Sequence, residues 1–180
     1  MKTNNAFLSG QRHFLRGEYG LSIASFNNAL ASGVDPAKAH LPLGLAHFKN
    51  YNFSGAIASY GHALAHDPRN EKILFLRGMA LFNNEELGRA LEDFDAALCF
   101  NPGHASTHVA RSLVLRALHR DAEAEEALKA AIAIGGVEAE LFIHEYCLTP
   151  HLQRLALGLF DAYKAGWGRH LRAERMESVH

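Results

Sequence analysis

"GAIASYGHALAHDPRN" (residues 55–70) and "RALEDFDAALCFNPGH" (residues 89–104) line up at an offset of 34 residues. In that register Ala56 falls on Ala90, Tyr60 on Phe94, Ala63 on Ala97 and Pro68 on Pro102; further back, Gly44 falls on Gly78. Self-similarity at a period of this size marks a repeat architecture, in which each unit is one supersecondary element stacked on its neighbours. Carried toward both ends, the register adds Gly10, Ser22, Phe26 and Ala29 before it and Ser112, Ala124, Leu128 and Ala131 after it. Four units follow, at 3–36, 37–70, 71–104 and 105–138, within a repeat region over residues 1–138.

Each unit holds two apolar-periodic stretches of helix length, parted by "RGEYG", "NYNFS", "NNEEL" or "HRDAE". That is a helix–turn–helix unit. Counting places from the first residue of a unit, small residues recur at places 8, 20 and 27. They let the two backbones approach. Phe26, Tyr60, Phe94 and Leu128, at place 24, are large enough to fill the gap toward the next unit. Pro68 and Pro102, at place 32, end the second helix because proline cannot continue the hydrogen-bond ladder.

These positions resemble the tetratricopeptide repeat family, with its small residues at places 8, 20 and 27, its aromatic at 24 and its proline at 32. The resemblance covers residues 3–138. It implies an all-α fold, a right-handed tetratricopeptide superhelix (an α-solenoid) of four helix–turn–helix repeats with C-terminal capping helices. Unit one departs in having Ser22 at place 20 and its proline, Pro36, two places late. Unit four lacks the glycine and has Gly135-Gly136 where proline is expected.

In this family the first helices of successive units line a concave groove, with places 2, 5, 9 and 12 turned into it. The resemblance thus assigns Phe7, Leu41, Phe75 and Val109 (place 5) to a peptide-binding groove. Gln11, Leu45, Met79 and Leu113 follow at place 9, and Phe14, Phe48 and Phe82 at place 12, where unit four has Arg116. Core packing of the first helices is served by places 4, 7, 8 and 11, so this second apolar stripe points to a partner. The short run "LPLGLAHF" (41–48) reads as serving both faces. Leu43, Gly44 and His47 face neighbouring helices, whereas Leu41, Leu45 and Phe48 face the groove, bordered by Pro42 near the first helical turn. The variant of the family that grips a C-terminal carboxylate is not matched, since of the clamp places only Lys72 carries the right residue.

The expected role is therefore non-catalytic: binding of a protein or peptide segment with apolar anchors, as an adaptor or assembly factor. A chaperone of the type III secretion kind is one alternative. A structural subunit whose groove is filled by its own tail or by a second copy, as a homo-oligomer, is another. With a net charge of −1 the whole chain has no electrostatic reason to seek nucleic acid. Charge is nonetheless uneven, with six Lys/Arg against three Asp/Glu in residues 1–70 and seven against eleven in 71–138. "MKTNNAFLSGQRHF" has no apolar core of a signal peptide, and no stretch is long enough for membrane insertion, so a cytoplasmic location is expected. Cys99 and Cys147 lack metal-type spacing and read as reduced thiols.

No phosphate loop, nucleophile elbow or paired-carboxylate motif is present, and no cofactor is expected. Twelve histidines include the i, i+4 pairs His62/His66 and His104/His108. No Glu sits within them as in zinc proteases, so they read as partly buried packing residues rather than metal ligands. The tail, 139–180, breaks the register. "AELFIHEYC" reads as a short helix, and Thr149-Pro150 as a cap followed by proline at the first helical position. Leu152, Leu155, Ala156, Leu159, Phe160 and Tyr163 then form an amphipathic stripe that either caps the array or fills the groove, and "RHLRAERMES" reads as a last polar helix.

Overall fold

Among the residues described by the computed structural model (2–135, 139–161 and 165), every regular element is an α-helix. The chain forms two compact units, residues 1–101 and 102–180. The first holds α1 (Lys2–Leu15), α2 (Tyr19–Ala31), α3 (Pro36–Lys49), α4 (Phe53–His66), α5 (Glu71–Asn83) and α6 (Leu87–Phe100). The second holds α7 (Ala105–Ala117), α8 (Asp121–Ile134), α9 (Ala139–Tyr146) and α10, over residues 150–161. The first three of the four repeats thus group together, and the fourth groups with the tail.

Within each repeat the two helices are pressed together over a small residue. A Cβ added to Gly10, Gly44 or Gly78 would lie 2.8, 2.6 or 2.6 Å from the ring of Phe26, Tyr60 or Phe94 of the same repeat. Each ring thus seals its own helix pair, and Phe26 also reaches the next repeat, sharing a core cluster with Leu43 and Ala46. The two irregular repeats keep the crossing by other means. In the fourth, Ser112 replaces the glycine, the smaller Leu128 replaces the ring, and the Ser112 hydroxyl donates to the Ala124 carbonyl at 2.7 Å. In the first, the Ser22 hydroxyl donates back to the Gly10 carbonyl at 2.9 Å.

All four intra-repeat turns share one geometry. The residue at place 15 has positive φ: Gly17 (73°), Tyr51 (59°), Glu85 (63°) and His119 (58°). The next N–H then reaches back to the place-11 carbonyl, at 2.9 Å in the first three repeats and 2.8 Å in the fourth. Only the first repeat uses glycine here. The second helices end in two ways. Asp67 and Asn101 adopt extended backbone (φ −137° and −138°), as a residue before proline must. The second helices of repeats one and four, which lack that proline, instead end on Gly33 and Gly135 at φ 86° and 118°. Asn52, Asn70 and Asp35 cap α4, α5 and α3 through Gly55, Ile73 and Ala37 N–H groups.

Pro42 departs from expectation. The helix α3 begins at Pro36, so Pro42 lies in its interior rather than its first turn. It has no N–H to give the Lys38 carbonyl one turn back, a defect worth about 3 kcal/mol in an ordinary helix. In the third repeat, a bidentate ion pair ties α5 to α6, with Arg77 donating to both Asp93 oxygens at 2.7 Å, and it holds the guanidinium pKa above its usual value.

In the tail, Pro150 opens α10 and the Leu152 N–H points at the Thr149 hydroxyl at 3.4 Å. Leu152, Ala156, Leu159 and Phe160 are buried, and Phe160 meets Phe142 of α9 edge-on at 5.9 Å. Burial pushes the Cys147 thiol up to about 12, which keeps it protonated and unreactive. Tyr163 and the expected helix in "RHLRAERMES" lie outside the described residues.

The paired replacement in the fourth repeat makes the helix crossing testable in the third. Gly78→Ala is expected to lower stability by about 1–3 kcal/mol, because the Phe94 ring must move. Gly78→Ser and Phe94→Leu together are expected to lose at least about 1 kcal/mol less than the sum of the single changes. Thermal denaturation of the wild type, the three single variants and the double variant measures this; simple additivity would refute a ring-set spacing.

Candidate functional site

The residues assigned to the groove divide by exposure along the chain. On α1, Gln11 is exposed while Phe7 and Phe14 are partly buried; on α3, Leu41 and Leu45 are partly buried. Phe7 packs edge-on against Phe26 at 5.4 Å, and Phe14 against Tyr19 at 5.5 Å. By contrast Phe48, Phe75, Met79, Phe82, Val109 and Leu113 are buried. Places 5, 9 and 12 of α5 and places 5 and 9 of α7 therefore belong to the core, which corrects the expectation that places 4, 7, 8 and 11 suffice for it. The helix α5 shows why: Ile73, Leu74, Phe75, Met79, Ala80, Leu81 and Phe82 are all buried, so the helix has no open apolar face.

An open apolar surface remains at α1, α2 and α3. A cleft of about 350 Å³ lies there, lined by Gln11, Phe14, Leu15, Phe26, Pro42 and Leu45. It exists because α1 and α3, though each packs extensively on α2, barely touch one another. Phe26, fully buried, forms its base. Leu15, 84% exposed, stands at its mouth. Three of the assigned residues (Gln11, Phe14 and Leu45) meet in this cleft, together with Pro42. Leu15 and Phe26 were not assigned to it. Leu15 follows Gln11 at i+4, a helical spacing legible in the sequence; Phe26 reads there as a packing residue alone.

The helix pairs, their glycine-and-ring contacts and the α1–α3 cleft can be set beside known proteins. A family model for the tetratricopeptide repeat matches residues 7–61 and 41–105. The chain belongs to the tetratricopeptide repeat family. Comparison with curated proteins found no match. Among solved structures, this tetratricopeptide chain superposes on YrrB, described as a TPR protein with an unusual peptide-binding site, with a TM-score of 0.71 and 23% identity over 81% of this chain and 75% of that one. It superposes on MamA with a TM-score of 0.69 and 20% identity, over 95% and 97% of the two chains. For MamA from Desulfovibrio magneticus RS-1 the TM-score is 0.70 and the identity 17%, over 73% and 75%. At these identities the likeness is one of fold.

Among the described residues no cluster of three or more His, Cys, Asp and Glu is arranged to hold a metal ion, and no helix is long and apolar enough to cross a membrane. Of the two histidine pairs, His104 and His108 are each tied locally, to the Thr107 hydroxyl at 2.5 Å and the Pro102 carbonyl at 2.9 Å. His62 stacks on His40 of α3, with ring centroids 4.7 Å apart. The Nδ1 atom of His40 is buried without a hydrogen-bond partner among the described residues. Burial, then the like charges that His62 and His66 would carry, hold the His40 pKa below its ordinary 6.5. Burial likewise lowers His47.

Two predictions follow from α3. Because His40 and His47 titrate lower in the folded chain than in the unfolded one, the unfolded state takes up protons first as pH falls. Stability is therefore complete above the ordinary pKa of 6.5 and declines below it. The thermal midpoint is expected to drop between about pH 7 and about pH 5.5, and to drop less in His40→Gln. An equal drop in that variant would clear His40. Separately, Pro42→Ala is expected to stabilise the chain by up to about 3 kcal/mol, as seen by denaturant unfolding, since it restores the bond to the Lys38 carbonyl.

Proposed function

We propose that this protein is a non-catalytic interaction module that seats an apolar segment of a partner protein in the α1–α3 cleft, acting as an adaptor or assembly factor. The observation that carries the reading is the cleft itself: apolar side chains from three helices converge on an open space, and Gln11 is the one polar side chain among its lining residues. Tetratricopeptide repeats in general serve protein interaction, and the description of YrrB as having a peptide-binding site fits that use. One large anchor buried on Phe26 would contribute about 1.5–3 kcal/mol before ordering costs. Affinity then depends on a few anchors rather than on total contact area.

The test uses peptides of about 15 residues, selected on the wild-type chain from a random library and measured by fluorescence anisotropy. Leu15→Glu with Leu45→Glu should weaken their binding at least tenfold while leaving the helical circular dichroism unchanged. Both side chains are at least partly exposed, so the fold tolerates the change. Undiminished binding in the double variant would rule out the cleft.

A further inference from the structure

The two helices that flank the cleft, α1 and α3, carry Lys and Arg but no Asp or Glu. On α1, Arg12 adjoins Gln11, and Arg16 lies just past the helix, in the turn after Leu15. On α3, Lys38 lies one turn before Pro42 and two before Leu45, on the same helical face. All three cations are exposed, and none has an ion pair among the described residues. The two carboxylates in residues 1–50 are already engaged: Glu18 meets the His13 ring at 2.5 Å, and Asp35 accepts from the Ala37 N–H at 3.0 Å as the cap of α3. Both keep their charge, but with five Lys/Arg against two Asp/Glu the stretch is net positive by three.

We propose that the occupant of the cleft is an acidic amphipathic segment of a partner protein. One or two of its large apolar side chains rest on Phe26 between Phe14 and Leu45, and Asp or Glu residues on either side face Arg12, Arg16 and Lys38. The inference rests on the cleft reading above and adds the partner's chemistry to it. The volume of about 350 Å³ is near the lower end for binding pockets, so it admits side chains rather than a whole helix. Exposed charge pairs are individually weak, but several of one sign select the partner, orient it and speed its arrival. A membrane surface is a poorer match, because the apolar lining is recessed between two helices over a buried floor. Nucleic acid offers charge but no aliphatic anchor.

The experiment measures binding of the full chain to three dye-labelled peptides that share the same Leu and Phe anchors, flanked by Glu, by Gln or by Lys. Vesicles of phosphatidylglycerol provide a fourth probe. The Glu-flanked peptide is expected to bind at least tenfold tighter than the Lys-flanked one, with the gap narrowing as salt rises. Arg12→Glu, Arg16→Glu and Lys38→Glu combined should reverse the order, whereas Leu45→Glu should weaken all three. If the peptides bind equally and Leu45→Glu weakens them equally, the charge inference fails and the cleft reading stands. If no peptide binds, or Leu45→Glu changes nothing, both fail. Binding to vesicles in preference to every peptide, lost in the triple variant, would overturn the proposal in favour of a lipid surface.

Discussion

The distance between paired helices, set by a glycine lying under an aromatic ring, governs the rest of this molecule. With Phe26, Tyr60 and Phe94 against Gly10, Gly44 and Gly78, no room remains for a single methyl group. Interiors packed this tightly transmit any change of volume, so the ring and the small residue must change together. The fourth repeat makes that coupled change with Ser112 and Leu128, and its serine also gains a hydrogen bond across the crossing. The positive-φ turns are a consequence of the same closeness. Two helices this near need a tight reversal, and Tyr51, Glu85 and His119 accept an unfavourable backbone conformation to make it.

The same ring connects architecture to function. Phe26 closes the first helix pair, reaches Leu43 and Ala46 of the next, and forms the base of the cleft. At α5 the equivalent apolar positions are consumed by the core, and nothing is left open. An open apolar cleft lies at α1–α3, where a first helix is only partly covered. Pro42 belongs to this picture as well. It weakens α3 where the helix borders the cleft.

Much of the fold was legible because helix pairing depends on residue size at fixed intervals, and size is written directly in the sequence. The 34-residue spacing of Gly44 and Gly78, with Tyr60 and Phe94, located the pairs and their turns. Pro68 and Pro102 located the helix ends; Gly33 and Gly135, which replace that proline with left-handed backbone, were less evident. The site was legible only in part. Of the residues that the family resemblance assigns to a groove, Gln11, Phe14 and Leu45 line the cleft, while Met79, Phe82, Val109 and Leu113 occupy the same repeat places and are buried. A repeat register cannot tell these cases apart, because it describes a residue's direction on its own helix and not what lies opposite.

The sequence by itself determined the repeat, the pairing of helices and the family, since each depends on local spacing and side-chain volume. Only the tertiary structure decided which apolar residues stay open. That depends on how far α1 stands from α3 and on how completely α5 is enclosed. These are relations between segments distant in sequence, and no single helix encodes them.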